Sequence, residues 1–470
     1  MRAPAALLGL LLLACAQDAA PPATLTLPAL GNPARPPAAL VLVSVAGLSA
    51  DRYRAAEGQP AEMPALAVLA RAGVAADAVR SVAPATRYPA HATLLSGRRP
   101  SGHGIVADLR LGEHGVRATP YWHASHLQAP MLWAVASQAG LRVAALGWPS
   151  TVGASISLNL PDLEPTRRGE TWLGVLEGAA APSLLALARE AGGAEPAAQL
   201  PGAARDAVLV EVACRLLSNS EPPHLLLLHL SQTALPLAAR GVDAPETRAA
   251  FASADAEIAR LLSCADAQDR LARTVFAVVG DHGATPVHTV VAPNVVLALV
   301  GLLTPKQVGT DLLSWAAIVR SNGGSAFVYA KGGEDAVLAR TALTRSASQT
   351  EAFRVVSAEE MLRLGADPDA WFGLEAEPGF AFVDDARGLL LRPALRRGGW
   401  GYLPDRPEMD AGFVAWGPGL GRRLRVPEMR QTDVAPTLAQ LLGLSLEGAE
   451  GRVLVGVLRL PGVSALPVSR

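Results

Sequence analysis

The sequence predicts an α/β protein built on a mostly parallel sheet with helices on both faces. Three observations lead there. From Ala38 onward, short apolar runs alternate with stretches that carry helical spacing. The runs are apolar nearly throughout instead of at every second residue, as strands covered on both faces require. Half of the 470 residues are hydrophobic and 18% are charged, which excludes a disordered chain and supplies a large core. The formal net charge of −1 lacks the basic surplus of a nucleic-acid binder.

The elements follow in order. "AALVLVSVAG" reads as a buried strand closing at Gly47, and "MPALAVLARAG" as a helix stopped by Gly73. "VRSVAP" reads as a strand, and "HATLLSG" and "MLWAVASQAG" as helices. "RVAALGWP" is a strand, "ARDAVLVEVACRLL" a helix and "PHLLLLHLS" a strand. A long helix, "APETRAAFASADAEIARLL", precedes the strand "RTVFAVVGDHG". Residues 285–395 are less regular and read as a smaller insert, with a glycine turn and strand at "SNGGSAFVYA". The last block returns to a strand, "AGFVAWGPGL", and a helix started by Asp433 in "RQTDVAPTLAQLLGL".

The first 37 residues are not part of that alternation. "MRAPAALLGLLLLAC" has a basic Arg2, a short apolar run and a small residue before a cysteine, which is a signal peptide over residues 1–14. Leu12-Leu13-Ala14-Cys15 resembles a bacterial lipobox, implying cleavage and acylation at Cys15 and hence a membrane partner through a lipid anchor. Ala16 and Gln17 bring no acidic residue beside it, which points to the outer membrane of a bacterial cell envelope. Residues 15–37 are rich in alanine and proline and read as an extended tether, leaving 38–460 as the folded domain. Cys214 and Cys264 are open to two readings, a disulfide or two separate buried thiols.

In open α/β sheets ligands bind at the carboxyl ends of the strands, so chemistry is sought just past each one. "SVAPATRYPAHATLLSG" (Ser81–Gly97) turns from strand to helix, offering first-turn N–H groups, the Thr86 hydroxyl and Arg87. "GDHG" places Asp281 and His282, both suited to Zn²⁺, after a buried strand. The rest of the rim is poor in donors: Ala46 follows the first strand, and Gln232-Thr233-Ala234-Leu235-Pro236-Leu237-Ala238 follows another. His91, His103 and His229 read as packing and hydrogen-bonding residues.

In order and spacing, "LVSVAGLSADRY", "YPAHATLLSGRRPSGHGIVAD", "PHLLLLHLSQT", "VVGDHGATPV" and "DVAPTLAQLLGLSLEGAEGRVL" resemble the type I phosphodiesterase/nucleotide pyrophosphatase family of the alkaline phosphatase superfamily. The resemblance spans nearly all of residues 38–455 and implies that superfamily's three-layer α/β/α sandwich. It also implies two zinc ions and a threonine nucleophile. Carried across residue by residue, the nucleophile falls on Arg87, one metal-ligand aspartate on Ala46, and the oxyanion-contacting asparagine on Asp108. The other metal ligands fall on Ala234, Ala238 and Trp400, while Asp281 and His282 match.

Arginine cannot serve as the nucleophile, and two matching ligands hold at most one ion weakly. The expectation is therefore a phosphodiesterase-like pseudoenzyme with no resident cofactor. Arg87 is expected to bridge to Asp281 and Asp108 where a metal would stand, with Trp400 filling vacated volume. Two alternatives stay open: a metal-dependent hydrolase with a rearranged site, and a protein that binds phosphate or carboxylate at Arg87 without cutting it.

Overall fold

The computed structural model describes residues 25–30, 37–55, 58, 60–112, 119–192, 202–307 and 312–460. Cys15, the signal peptide and most of the tether lie outside them. Among the described residues the central sheet has eight strands: β1 (Ala39–Val45), β2 (Val74–Ala76), β3 (Val143–Leu146), β4 (Leu158–Leu160), β5 (Leu225–Leu230), β6 (Thr274–Gly280), β7 (Phe413–Trp416) and β8 (Leu424–Val426). Their order is β8-β2-β7-β6-β1-β5-β3-β4. The run from β6 to β4 is parallel, β7 is antiparallel to both neighbours, and β8 is parallel to β2.

The continuous apolar runs are explained by two cores. Along β1, Val41, Val43 and Val45 point into one hydrophobic cluster, while Leu40 and Leu42 point into the other. The first cluster is closed by Leu66 and Leu69 of helix Pro64–Ala72, by Gly202–Ser218 and by Pro245–Asp266. The second is closed by Leu94 and Leu95 of helix Arg87–Ser96, by Leu132–Gln138 and by Val434–Leu441. Each fully buried Leu or Val contributes about 1.5–3 kcal/mol, so both faces of every central strand stabilise the fold. This is the three-layer α/β/α architecture that the sequence predicts.

Four details go beyond or correct the sequence reading. The insert holds a four-stranded antiparallel sheet in the order Ala317–Ser321, Ser325–Ala330, Phe372–Ala376, Phe353–Val356, with helix Gly333–Thr350 packed on it through Ala339 and Leu343. Cys214 and Cys264 form a disulfide that joins the two longest helices of the first cluster, with Cα atoms 5.4 Å apart. The tether is not free throughout: Leu25, Leu27 and Leu30 pack on the first core, and Arg422 Nη2 donates to the Leu30 carbonyl at 2.7 Å. Asp433 does not cap its own helix. It accepts instead from the N–H groups of Arg430 (3.0 Å) and Arg452 (2.9 Å), tying both chain segments to that helix start. No helix among the described residues is long and apolar enough to cross a membrane.

Candidate active site

Strand register assembles the site. Val45 of β1 pairs with Leu230 of β5 on one side and Gly280 of β6 on the other. Ala46, Ser231 and Asp281 therefore leave the sheet on one level, as the rim argument requires. Gly280 and Gly283 frame Asp281 for lack of space, not for a left-handed turn. A Cβ at Gly280 would lie 2.0 Å from the Leu48 carbonyl oxygen, and one at Gly283 2.0 Å from that of Glu408.

Asp281 is fully buried. Its Oδ1 accepts from the N–H groups of Gly47 (2.8 Å) and His282 (2.9 Å), and its Oδ2 has no partner. His282 Nδ1–H donates to the Gly283 carbonyl at 2.8 Å, which leaves Nε2 as an acceptor 3.6 Å from Asp281 Oδ1. The Trp400 indole stacks on that imidazole, ring centroids 4.9 Å apart and planes at 19°. Trp400 thus covers the surviving pair from the cleft.

Backbone contacts fix that tryptophan. Gly401 has φ +80°, its N–H donates to the Ala85 carbonyl at 3.0 Å, and its carbonyl accepts from Ser325 N–H at 2.8 Å. The Trp400 carbonyl accepts from Gly324 N–H at 2.8 Å, so the insert's hairpin turn and the strand-to-helix corner are joined through this one dipeptide.

On the other side of Ala46 the loop after β5 is closed without metal ligands. Thr233 Oγ1 donates to the Ala46 carbonyl at 2.5 Å, and helix Ala234–Arg240 starts at once, carrying Ala234 and Ala238. Asp206, on helix Gly202–Ser218, holds this loop by accepting from Gln232 N–H at 2.8 Å. Burial pushes the Asp206 carboxyl up to about 7, against the N–H of Gln232 and the charge of Arg205.

Because that pKa is raised, the folded protein binds the extra proton between about pH 4 and pH 7, and stability falls as pH rises through that window. Three units set a ceiling of about 4 kcal/mol, and relaxation around the carboxylate brings the realistic figure to about 2 kcal/mol. Asp206→Asn is expected to stabilise by about 2 kcal/mol at pH 8 and to match the parent near pH 4, read from urea unfolding across pH. A gain independent of pH would refute it.

Arg87 does not go where the sequence reading puts it. It opens the helix Arg87–Ser96, and its guanidinium donates to Asp162, which is 5% exposed, and at 3.5 Å to the half-exposed Glu164. Glu164 also meets Arg205 at 3.6 Å. Asp281 is held instead through Oδ1, by the N–H groups of Gly47 at the end of β1 and of His282. Burial works against the Arg87 charge, yet Asp162 first, with Tyr88 and Glu164 behind it, holds its pKa above the usual arginine value. Asp162 lies two residues past β4, on the carboxyl-end rim of the sheet that also carries Asp281. The signal was present in "LNLPDLEP", but a three-residue strand gives too little periodicity to be read.

Asp108 also avoids the ion pair. Its Oδ1 accepts from Tyr88 N–H at 2.9 Å, at the helix start, and burial raises its pKa despite that bond and the charge of Arg87. Thr86, the residue before the helix, is extended (φ −134°, ψ 167°), and its buried hydroxyl makes no well-formed hydrogen bond. Behind the corner, His91 Nδ1–H donates to the Arg87 carbonyl at 2.7 Å and its Nε2 meets His229 Nδ1 at 3.2 Å. Burial lowers His91 to about 4, and His103, bonded to Thr93 Oγ1 at 2.9 Å, to about 3. These histidines pack and bond as the sequence suggests.

In front of the corner opens a cleft of about 1510 Å³ lined by Thr86, Asp108, Tyr121, Asn322, Phe327 and Trp400. Arg87, Asp281 and His282 are not on its wall. The profile of the type I phosphodiesterase / nucleotide pyrophosphatase family matches residues 40–386. The chain belongs to this family.

Solved structures of family relatives share its fold. Murine ectonucleotide pyrophosphatase/phosphodiesterase 5, in an inactivated form complexed with AMP, is 18% identical with a TM-score of 0.63; the match covers 88% of this chain and 97% of that one. The human protein of the same name is 17% identical with a TM-score of 0.64 and the same coverage. No curated protein matches the chain.

Members of the family are typically zinc-dependent. A catalytic zinc takes about three protein ligands, and two are offered here: Asp281 through its unpartnered Oδ2, and His282 through Nε2. Among the described residues no group of three or more His, Cys, Asp or Glu side chains is placed to hold a metal. The residues present therefore do not fit the family's metal centre.

Proposed function

We propose that this family member is a lipid-anchored envelope protein that keeps the phosphodiesterase fold and cleft but does not hydrolyse phosphoric esters by the family's route. The observation that carries the reading is the shared level past β1, β5 and β6. There Ala46 and the helix start carrying Ala234 and Ala238 offer no ligand, and the carboxylate of Asp281 is bonded to backbone through Oδ1. Phosphoryl transfer needs an activated nucleophile and charge neutralisation on the transferring group. Arg87 supplies neither, since its guanidinium is bound to Asp162 and Glu164. The same engagement weighs against Arg87 as an anion-binding residue.

The test pairs elemental analysis with turnover of bis(p-nitrophenyl) phosphate by the purified chain, with and without added zinc. Substoichiometric zinc and no metal-dependent turnover are expected, and Arg87→Thr is expected not to restore it. Two zinc ions per chain with metal-dependent turnover would overturn the proposal. Anchoring is read separately: labelled palmitate should enter the wild-type chain and not Cys15→Ser.

A further inference from the structure

The surface arginines are not balanced evenly over the molecule. Many meet carboxylates: Arg54 pairs with Asp77, Arg80 with Asp410 and Glu428, Arg99 with Glu450, and Arg215 with Glu190. At the amino ends of β2, β6 and β8 they meet carbonyls instead. Arg270 Nη2 donates to the Asn219 carbonyl at 2.8 Å, Arg422 Nη2 to that of Leu30 at 2.7 Å, and Arg459 Nη1 to that of Leu458 at 2.7 Å. A carbonyl satisfies a guanidinium N–H but leaves the unit charge in place. Arg71, Arg273 and Arg423 are exposed at the same end and make no ion pair among the described residues.

The backbone holds these residues around one end of the sheet. Arg71 lies in the last turn of the helix that leads into β2, and Arg423 N–H donates to the neighbouring Ala72 carbonyl at 3.2 Å. Arg459 N–H donates to the Gly419 carbonyl at 2.8 Å, in the turn that follows β7, and the Arg273 carbonyl accepts from Ala38 N–H at 2.8 Å, where β1 begins. Of the carboxylates nearby, Glu221 pairs with Arg142 at 3.3 Å, which leaves Asp266 and Asp269 against six arginines. A formal charge of −1 for the whole chain thus conceals one basic end.

We infer that this end is a docking surface for an anionic phospholipid bilayer. The docked stretch at residues 25–30 selects the partner: it lies against this end, held by Arg422, and leads back towards Cys15. The choice of a lipid partner therefore rests on the anchoring reading above. The large apolar side chains that are exposed belong to the insert or to the cleft side, so this end meets headgroups without inserting. An acyl chain supplies proximity, and the arginines add a second hold that depends on charge.

Co-sedimentation of the mature chain carrying Cys15→Ser, which has no acyl group, reads this hold directly. Vesicles of about 40 mol% phosphatidylglycerol in phosphatidylcholine should bind it at about 0.1 M salt. Binding should vanish at about 1 M salt, where the screening length falls to about 3 Å, and vesicles of phosphatidylcholine alone should not bind. Arg71→Gln, Arg273→Gln and Arg423→Gln together should weaken binding at least about thirtyfold, since each arginine near such a surface contributes about fivefold. Lysine at the same three positions should keep binding within about threefold. The matched control, Arg110→Gln with Arg396→Gln and Arg397→Gln, removes three exposed charges at the cleft end and should also stay within about threefold.

Equal weakening by the two glutamine triples, equal binding to charged and neutral vesicles, or no binding to either would overturn the inference. So would tighter binding to a DNA duplex than to the charged vesicles. Circular dichroism and the unfolding midpoint confirm that each variant is folded. Failure of palmitate to label Cys15 would refute the anchor alone, because the vesicle comparison uses an unacylated chain.

Discussion

Asp162→Ala is expected to lower the unfolding free energy by about 3 kcal/mol, because it leaves the part-buried Arg87 guanidinium without its main counter-charge. Asp162 is nearly inaccessible and also accepts from the Tyr88 hydroxyl at 3.1 Å, so two donors lose their acceptor at once. Glu164 remains 3.5 Å from Arg87, but it is half exposed and shared with Arg205. The paired replacement Arg87→Met with Asp162→Leu should recover most of the loss, since a buried ion pair and an apolar pair of similar volume are often nearly equal in stability. Urea unfolding of the two single variants and the pair closes the cycle. A loss below about 1 kcal/mol for Asp162→Ala would place the contact among ordinary surface pairs and undo the account of Arg87.

Gly401→Ala should be comparably damaging, at about 3–5 kcal/mol, from a left-handed backbone combined with a steric conflict that has no flexible side. Its φ is +80°, and an added Cβ would lie 1.7 Å from the Asn322 carbonyl oxygen. The backbone of the insert's turn must then move, taking with it the Gly324-to-Trp400 bond that seats the indole on His282. Gly443→Ala is the control: its φ is +71° but nothing lies within 4 Å of the new methyl group, so about 1 kcal/mol is expected from backbone strain alone. Thermal and urea unfolding of the two variants compare them directly. Equal losses would show that the Asn322 contact is not what demands glycine at 401.

The layered fold was legible because buried parallel strands announce themselves. β1, β5 and β6 are apolar at all positions but Ser44, His229, Thr274 and Gly280, and their ends sit on one level, so Ala46, Ala234, Ala238 and Asp281 are legible as one rim. The partners of those residues were not legible. Asp281 does not meet Arg87, because the Gly47 N–H reaches its carboxylate only through the pairing of β1 with β6 and the His282 N–H only through the turn after β6. Asp162 follows a strand too short to show periodicity. The insert sheet is hard to read from sequence because its antiparallel strands are brief and joined through helix Gly333–Thr350. Pairing of Cys214 with Cys264 depends on how two long helices pack, which spacing along the chain does not encode. The demand for glycine at 280 and 283 comes from the carbonyls of Leu48 and Glu408, which are distant in the chain and crowd these positions only in the fold.

The docked stretch at residues 25–30 sets a direction for the whole molecule. Arg422, which holds it, precedes β8 beside the starts of β2 and β6, while the cleft opens past the other end of β6. Ten residues separate Cys15 from Leu25 and can reach at most about 35 Å when fully drawn out. A chain acylated at Cys15 would therefore stand close to its bilayer with the cleft turned outward. Whatever enters that cleft would then arrive from the aqueous side, and lipids of the same leaflet would meet the base of the domain instead.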